Sequence, residues 1–546
     1  MAAEKSPTFV LPIKLKITPR EAKMIESELE INRVIYNTCL GELLKRERSM
    51  KQTKRFKKCM REYKAISVKL ALAKKATDKK ALLSLKNEKK QLSKKFGDLR
   101  TQFGVSEYSI HAFMSPIRKH FGNRVNSAVA QKTATRAWNA FEKKMYGKAK
   151  TVHFVRKGEM NSFEGKSNAT GWRYKNRQIE VNGQSFGLII QPKDIYLLEA
   201  LHLIDNEQTF DYKNSSGESK IVSYRVKYVQ IVRKYIRNQN TYYAHLVCAG
   251  YPPTKKDKNG KMRHAIGKGS VGLDIGTSSL AVASETAVFL KNLGEDIKRI
   301  DEAERNIKLL ARAMDRSKRA MNPNNYNENG TVRNGKKTWT FSNRYKKLRD
   351  KHRSLHRRLA VLRKLSHQRM ANGLLALGDE FYIEEMNFRS LQKRAKKTEI
   401  SEKTRKHKKK KRFGKTIAHR APALFVNTLA GKVKSCGGNF TKVDTWSFKA
   451  SQYDHTTDEC VKKELKERWH CFSDGTKVQR DLYSAFLLMN ANPNGKNTNR
   501  ALCENTYQMF KQQHDVEIER LEQLQVVTLN SGIRLKEKKE ALRASW

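Results

Sequence analysis

Three acidic residues in this chain are placed where acids are costly. Residues 271–283, VGLDIGTSSLAVA, read as a buried apolar strand with Asp274 at its centre, a tight turn at Gly276-Thr277, and a second apolar strand. A later apolar run, Phe381-Tyr382-Ile383, ends in Glu384-Glu385, and Asp481 opens the apolar helix DLYSAFLLM at 481–489. A carboxylate embedded in apolar surroundings is expensive to bury without a cation partner, and oxygen donors are what hard divalent cations take. Acids on three separate core elements therefore point to a site that gathers Mg²⁺, with two ions expected, and so to phosphodiester hydrolysis. Strand periodicity alone does not choose between Glu384 and Glu385.

The elements that must position these acids follow from the pattern around them. Residues 7–18 alternate as a strand, and from Arg20 to about Ala140 the pattern is helical and basic. Ile25, Leu29, Tyr36 and Leu40 form one stripe there, widened by Met24, Ile31 and Ile35. Residues 50–100 read as a helical hairpin turning near Thr77-Asp78. From about 150 to 265 the texture changes to strands, with 179–190, 220–236 and 240–250 alternating at a period near two. Together with residues 7–18 these strands are expected to close a small β-barrel into which the helical region is inserted. Residues 257–270 read as a polar linker into the Asp274 strand. Beyond it come two long basic helices across 296–372, broken at Pro323-Asn324-Asn325, with Leu348, Leu355, Leu359 and Leu362 on one stripe. A Lys-rich run follows at 403–415, expected to order against nucleic acid. A helix at 421–434 and a strand at 437–446 complete the set that precedes Asp481.

The fold expected is α+β and multidomain. Residues 1–19 and 151–265 form the barrel, 20–150 the helical lobe, and 266–435 and 479–495 an α/β nuclease domain. Residues 436–478 are a segment inserted in that domain. For 496–546 the pattern allows either a packed tail or a flexible extension.

Composition limits the partners. The chain has 546 residues, with 113 Lys+Arg against 54 Asp+Glu, a net charge of +59. A charge of that size is a footprint for polyanion binding. No run approaches the 18 uninterrupted apolar residues of a membrane span, and the start resembles a charged strand rather than a signal peptide. Seven scattered cysteines suit a reducing cytoplasm.

The order of the acidic motifs resembles the TnpB family of transposon-encoded RNA-guided nucleases and their relatives, the compact type V CRISPR effectors. VGLDIGTSSLAVAS is similar to the first RuvC motif, YIEEMNFRSL to the second and GTKVQRDLYSAFLL to the third. The phrases at 226–248 and 420–452 also look like the family, so the likeness covers roughly 220–490. It implies a ribonuclease-H-like (RuvC) domain, with Asp274, Glu384 and Asp481 as its Mg²⁺-binding catalytic carboxylates. Glu385 falls where the family usually has Asp, and Arg480 where it has Arg, suited to steady a carboxylate or the scissile phosphate. The partners implied are a guide RNA with a structured scaffold and a double-stranded DNA target beside a short adjacent motif.

The chain departs from the family between 450 and 480. Two Cys-x-x-Cys pairs of a zinc ribbon are expected, but Asp454 and Thr457 stand at the first pair and Asp474 replaces the last Cys beside Cys471. His455, Cys460, His470 and Cys471 are the remaining donors for an improvised zinc site. With both pairs broken, the expectation is a zinc-free segment packed around Trp469 and Phe472. Other readings stay open: a guided DNA-binding repressor that does not cut, a guide-free DDE-type transposase on the same fold, and an RNA-coating protein. An actin-like ATPase or sugar kinase shares the Asp-x-Gly-Thr turn but needs further Gly-rich phosphate loops, which this chain lacks after residue 300.

Overall fold

The computed structural model describes residues 6–75, 78–213, 217–237, 239–254, 256–257, 259, 261–297, 300–393, 400, 413–464, 467–524, 528 and 531–533. The chain divides into two compact units, Met1–Pro253 and Thr254–Trp546.

In the first unit β1 (Thr8–Lys16) buries every second residue, so Phe9, Leu11, Ile13 and Leu15 face the core. Thr18 and Glu21 then form a reciprocal capping box that starts α1 (Pro19–Gln52), with Pro19 in the first turn. Helices α2 (Lys54–Lys75), α3 (Lys79–Gln102), α4 (Glu107–His120) and α5 (Ser127–Met145) complete the helical insertion. Asp78 caps α3 through the Ala81 amide at 3.0 Å; Thr77 lies outside the described residues. Strands β2 (Ser162–Glu164), β3 (Arg173–Lys175), β4 (Gln178–Val181) and β5 (Gln184–Ile189) follow, then α6 (Ile195–Asp205) and the hairpin β6 (Thr209–Lys213) with β7 (Ser219–Ser223). Strands β8 (Arg225–Ile236) and β9 (Gln239–Ala249) close the unit.

One antiparallel sheet joins seven of these strands in the order β2-β8-β9-β1-β5-β4-β3, which returns β1 to the strands more than 170 residues downstream. Its end strands are not paired with each other among the described residues. Three expectations change, the first being that the run 220–236 divides into β7, paired with β6, and β8 of the large sheet. The run 179–190 is two strands, because Asn182 and Gly183 both take positive φ, the geometry of an Asn-Gly hairpin turn. Residues 195–205, expected within a strand-rich stretch, form a helix: Asp194 accepts from the Leu197 amide, and Leu and Ala dominate the turns that follow.

The second unit is built on the sheet order β12-β11-β10-β13-β14. Here β10 is Ser270–Ile275, β11 Ser279–Ser284, β12 Val288–Asn292, β13 Glu380–Glu384 and β14 Asn439–Val443. The first three run antiparallel; β13 and β14 run parallel to β10. The crossover into β13 carries α7 (Ile300–Ala320) and α8 (Asn343–Leu375), packed through Ile300, Ile307, Leu355, Leu359 and Leu362. The next crossover carries α9 (Phe388–Leu391), α10 (Gly414–Arg420) and α11 (Pro422–Ser435). Of the basic run 403–415, all but the last three residues lie outside the described residues. After β14 come α12 (Thr445–Phe448), two small hairpins, β15 (Tyr453–Asp454) with β16 (Glu459–Cys460) and β17 (Trp469–Cys471) with β18 (Lys477–Gln479), then α13 (Arg480–Met489) and α14 (Arg500–Glu522).

Strand alternation divides this unit into layers. Val271, Leu273, Ile275, Phe381 and Ile383 pack against α8 and α11, while Tyr382, Ala281 and Ala283 pack against α13 and α14. Gly272 faces α13. A Cβ there would lie 1.9 Å from the Ala485 carbonyl oxygen and 2.3 Å from the Met489 nitrogen, so the glycine lets the helix backbone rest on the strand. The C-terminal residues resolve into a packed helix as far as 522: Glu517 of α14 accepts the Leu290 amide of edge strand β12 at 2.8 Å.

Candidate active site

Alternation brings the acids to one face. Asp274 shares the parity of Gly272, and Glu384 that of Tyr382, so both project toward the α13 side of the sheet. The parallel register runs to Leu273↔Ile383, and the next residues along are Asp274 and Glu384. Neighbouring strands lie about 5 Å apart, so these two carboxyls start from adjacent backbone positions at the carboxyl ends of two parallel strands. Asp481 sits in the first turn of α13, the helix resting on Gly272. Glu385, of opposite parity, is exposed, and its backbone pairs with Val443 and Thr445 instead.

The charges of the three acids interact. The Asp274 carboxyl is held well above the usual carboxylate range, first by burial, then by the negative charges of Asp481 and Glu384; the guanidinium groups of Arg480 and Arg468 pull it back. Burial also raises the Glu384 carboxyl, against a hydrogen bond donated by the Ala450 amide at 3.1 Å. Gln479 caps α13 through the Leu482 amide at 2.8 Å, and its own amide nitrogen reaches Asp481 Oδ2 at 3.4 Å and the Ser531 carbonyl at 3.2 Å. One oxygen of the Asp481 carboxylate thus meets the side chain that caps its own helix.

The two arginines do different things. Arg480 is buried, donates to the carbonyls of Glu464 and Glu467 at 3.2 and 2.8 Å, and lies 3.7 Å from Asp481. Its guanidinium is committed to the protein, which suits steadying a carboxylate. Arg468 is half-buried, reaches Asp274 with its charge, and has no hydrogen-bonded side-chain partner among the described residues. Sequence reasoning missed it. Nothing in ERWHC sets it apart from the other lysines and arginines, 113 in all.

An all-carboxylate set fits a hard divalent cation, whose charge would relieve the repulsion at Asp274. Among the described residues no three His, Cys, Asp or Glu side chains stand in a ready-made ligand cluster. The acids are neighbours in charge, not yet ligands in position.

The degenerate ribbon positions go elsewhere. His470 Nε2 lies 2.9 Å from Asp454 Oδ2 and its Nδ1 contacts Lys463, while His455 Nδ1 lies 2.7 Å from the Tyr483 hydroxyl. Phe472 and Tyr483 pack against both rings, and Phe486 and Tyr507 against His455. Cys460 and Cys471 are exposed. Of the four donors considered for zinc, the structure draws the two histidines into an aromatic, hydrogen-bonded core and leaves the thiols at the surface. Trp469, half-buried, packs against the core that contains Phe472 and faces His514 of α14.

No protein-family model and no curated protein matches this chain. Among solved structures, the cryo-EM structure of a Cas12f1–sgRNA–target DNA complex is similar at a TM-score of 0.38 and 12% identity, covering 90% of this chain and 99% of that one. A likeness of that degree decides nothing about the site.

Proposed function

We propose that the chain is an RNA-guided DNA endonuclease that hydrolyses phosphodiester bonds at Asp274, Glu384 and Asp481. The observation that carries the hydrolytic part is the placement of Asp274 and Glu384 on neighbouring strands, on the sheet face against which α13, the helix carrying Asp481, packs. The guide and the DNA target come from the TnpB-like motif order and from the net charge of +59. The acid-bearing strands side by side, with the third acid on a helix packed against them, are what a ribonuclease-H-like site requires.

Asp274, Glu384 and Asp481 would hold Mg²⁺, which when bound supplies an activated water and stabilises the leaving oxygen. The chain's own contribution is positioning. The Ala450 amide fixes one oxygen of Glu384, and Gln479 and Arg480 hold Asp481. Arg468, whose guanidinium has no hydrogen-bonded partner among the described residues, supplies positive charge to Asp274, the chemistry that also pairs with a phosphate oxygen. All three acids are retained, so the non-cutting repressor has no observation in its favour.

The test has two parts. RNA that co-purifies when the protein is expressed with its native flanking DNA is sequenced; one dominant species with a fixed structured part and a variable end is expected, and a smear of cellular RNA overturns the guided reading. With that RNA and Mg²⁺, Asp274→Ala abolishes cleavage of matched DNA while target binding persists. Wild-type cutting by the variant refutes the site.

A further inference from the structure

Trp446 is 87% exposed, while the other tryptophans among the described residues are buried or half-buried. A single exposed apolar residue is ordinary in itself; its mounting is what sets this one apart. It sits on α12, the turn that joins β14 to the segment holding Glu384. Asp444 caps that turn through the Ser447 amide at 3.2 Å, and Phe448 is buried beneath it. Thr445 donates to the Glu385 carbonyl at 3.2 Å. Lys449, at φ 52°, then reverses the chain so that the next amide, Ala450, donates to Glu384. The indole is therefore carried outward on a short, doubly anchored segment whose far end fixes a carboxylate of the acid site. No ring or cation contact covers it among the described residues.

The charges around it favour a base over a phosphate at this spot. Asp444, which caps the turn, and Glu385, whose carbonyl Thr445 meets, are the acids tied to this segment, whereas Lys442 and Lys449, four and three residues from Trp446 along the chain, are exposed. An exposed indole on a segment that also exposes lysines is a stacking platform for unpaired bases, which every base satisfies through its π-face.

We propose that Trp446 stacks on an unpaired base of the strand whose phosphate enters the acid site, and so sets that strand's register without reading its sequence. This rests on the nuclease reading above, and the test separates the two.

Single abasic sites are stepped along the cut strand of a matched substrate, with guide RNA and Mg²⁺. One position is expected to slow the wild-type protein roughly 10- to 100-fold, the range of one base–aromatic stack. Trp446→Ala should slow cutting of the intact strand by a similar factor and add nothing on the abasic strand, with Trp446→Phe recovering most of the rate. Wild-type rates for Trp446→Ala, or losses that simply add, overturn the proposal. If wild-type protein does not cut at all, the nuclease reading fails and stacking is judged alone: a short oligothymidylate should quench tryptophan emission, and Trp446→Phe should remove that quench. An unchanged quench in Trp446→Phe overturns it, as does an effect of Trp446→Ala on sedimentation with none on oligonucleotide binding.

Discussion

Adjacent glutamates differ here by one step of strand alternation, and that step separates the candidate from its neighbour. Glu384 faces the helix carrying Asp481 and receives the Ala450 amide; Glu385 points to solvent. Glu384→Gln keeps the shape and removes the charge, so it should lower the cleavage rate at least about a hundredfold, while Glu385→Gln should stay within about threefold of wild type, as single-turnover kinetics would show. Equal losses in both would mean that the register assigned to β13 is wrong. A different buried acid governs stability. Glu28 of α1 is almost fully buried; burial pushes its carboxyl up to about 8, and the hydrogen bond from Trp172 Nε1 at 3.1 Å pulls back only in part. The folded chain therefore keeps this proton after the unfolded chain has lost it. Stability from this group is full below the ordinary carboxyl value of 4.5 and falls as pH rises toward 8. Glu28→Gln should flatten that decline and add on the order of 3 kcal/mol at pH 8 while changing little at pH 4.5, measured by urea unfolding at both.

At the level of elements, helix α13 is placed by a glycine. The atoms that a Cβ on Gly272 would meet belong to the helix backbone, so no side chain can move aside. Gly272→Ala should cost about 3 kcal/mol or more and carry Asp481 away from Asp274, lowering melting temperature and cleavage together. Gly431→Ala, in α11 with open space around it, is the control and should gain up to about 1 kcal/mol with cleavage unchanged. This contact shows where the sequence stops being informative. GLDIGT places Asp274 within an apolar strand, and the alternation of FYIEE narrows the second acid to two, because a strand's period is written in its own residues. Which helix approaches Gly272 depends on a partner more than 200 residues away, and no local period records it. Arg468 was hidden for the same reason: its role comes from the distant Asp274, not from its neighbours. The helix at 195–205 was a different failure, since its leucines satisfy an apolar strand as well as a helix and only the cap at Asp194 separates the two.

Across the whole molecule the excess of positive charge acts on the protein and on its complexes in opposite directions. With 113 basic and 54 acidic side chains, ion pairs can neutralise fewer than half of the cations. The remaining charges repel one another in the free protein, and salt screens that repulsion within about 10 Å at 0.1 M. The melting temperature of the free protein should therefore rise between 50 and 200 mM NaCl. Nucleic acid relieves the same repulsion by replacing it with phosphate contacts, each of which releases a counterion that added salt returns. A surface built to hold a duplex backbone should make at least about six such contacts, so duplex affinity should fall roughly a thousandfold or more over the same range. Differential scanning fluorimetry and fluorescence anisotropy on one preparation test both halves. A stabilising salt response with a shallow binding slope would mean that the excess charge is scattered over the surface, not gathered along a nucleic-acid path, and the guided-nuclease reading would lose the part of its support that comes from charge.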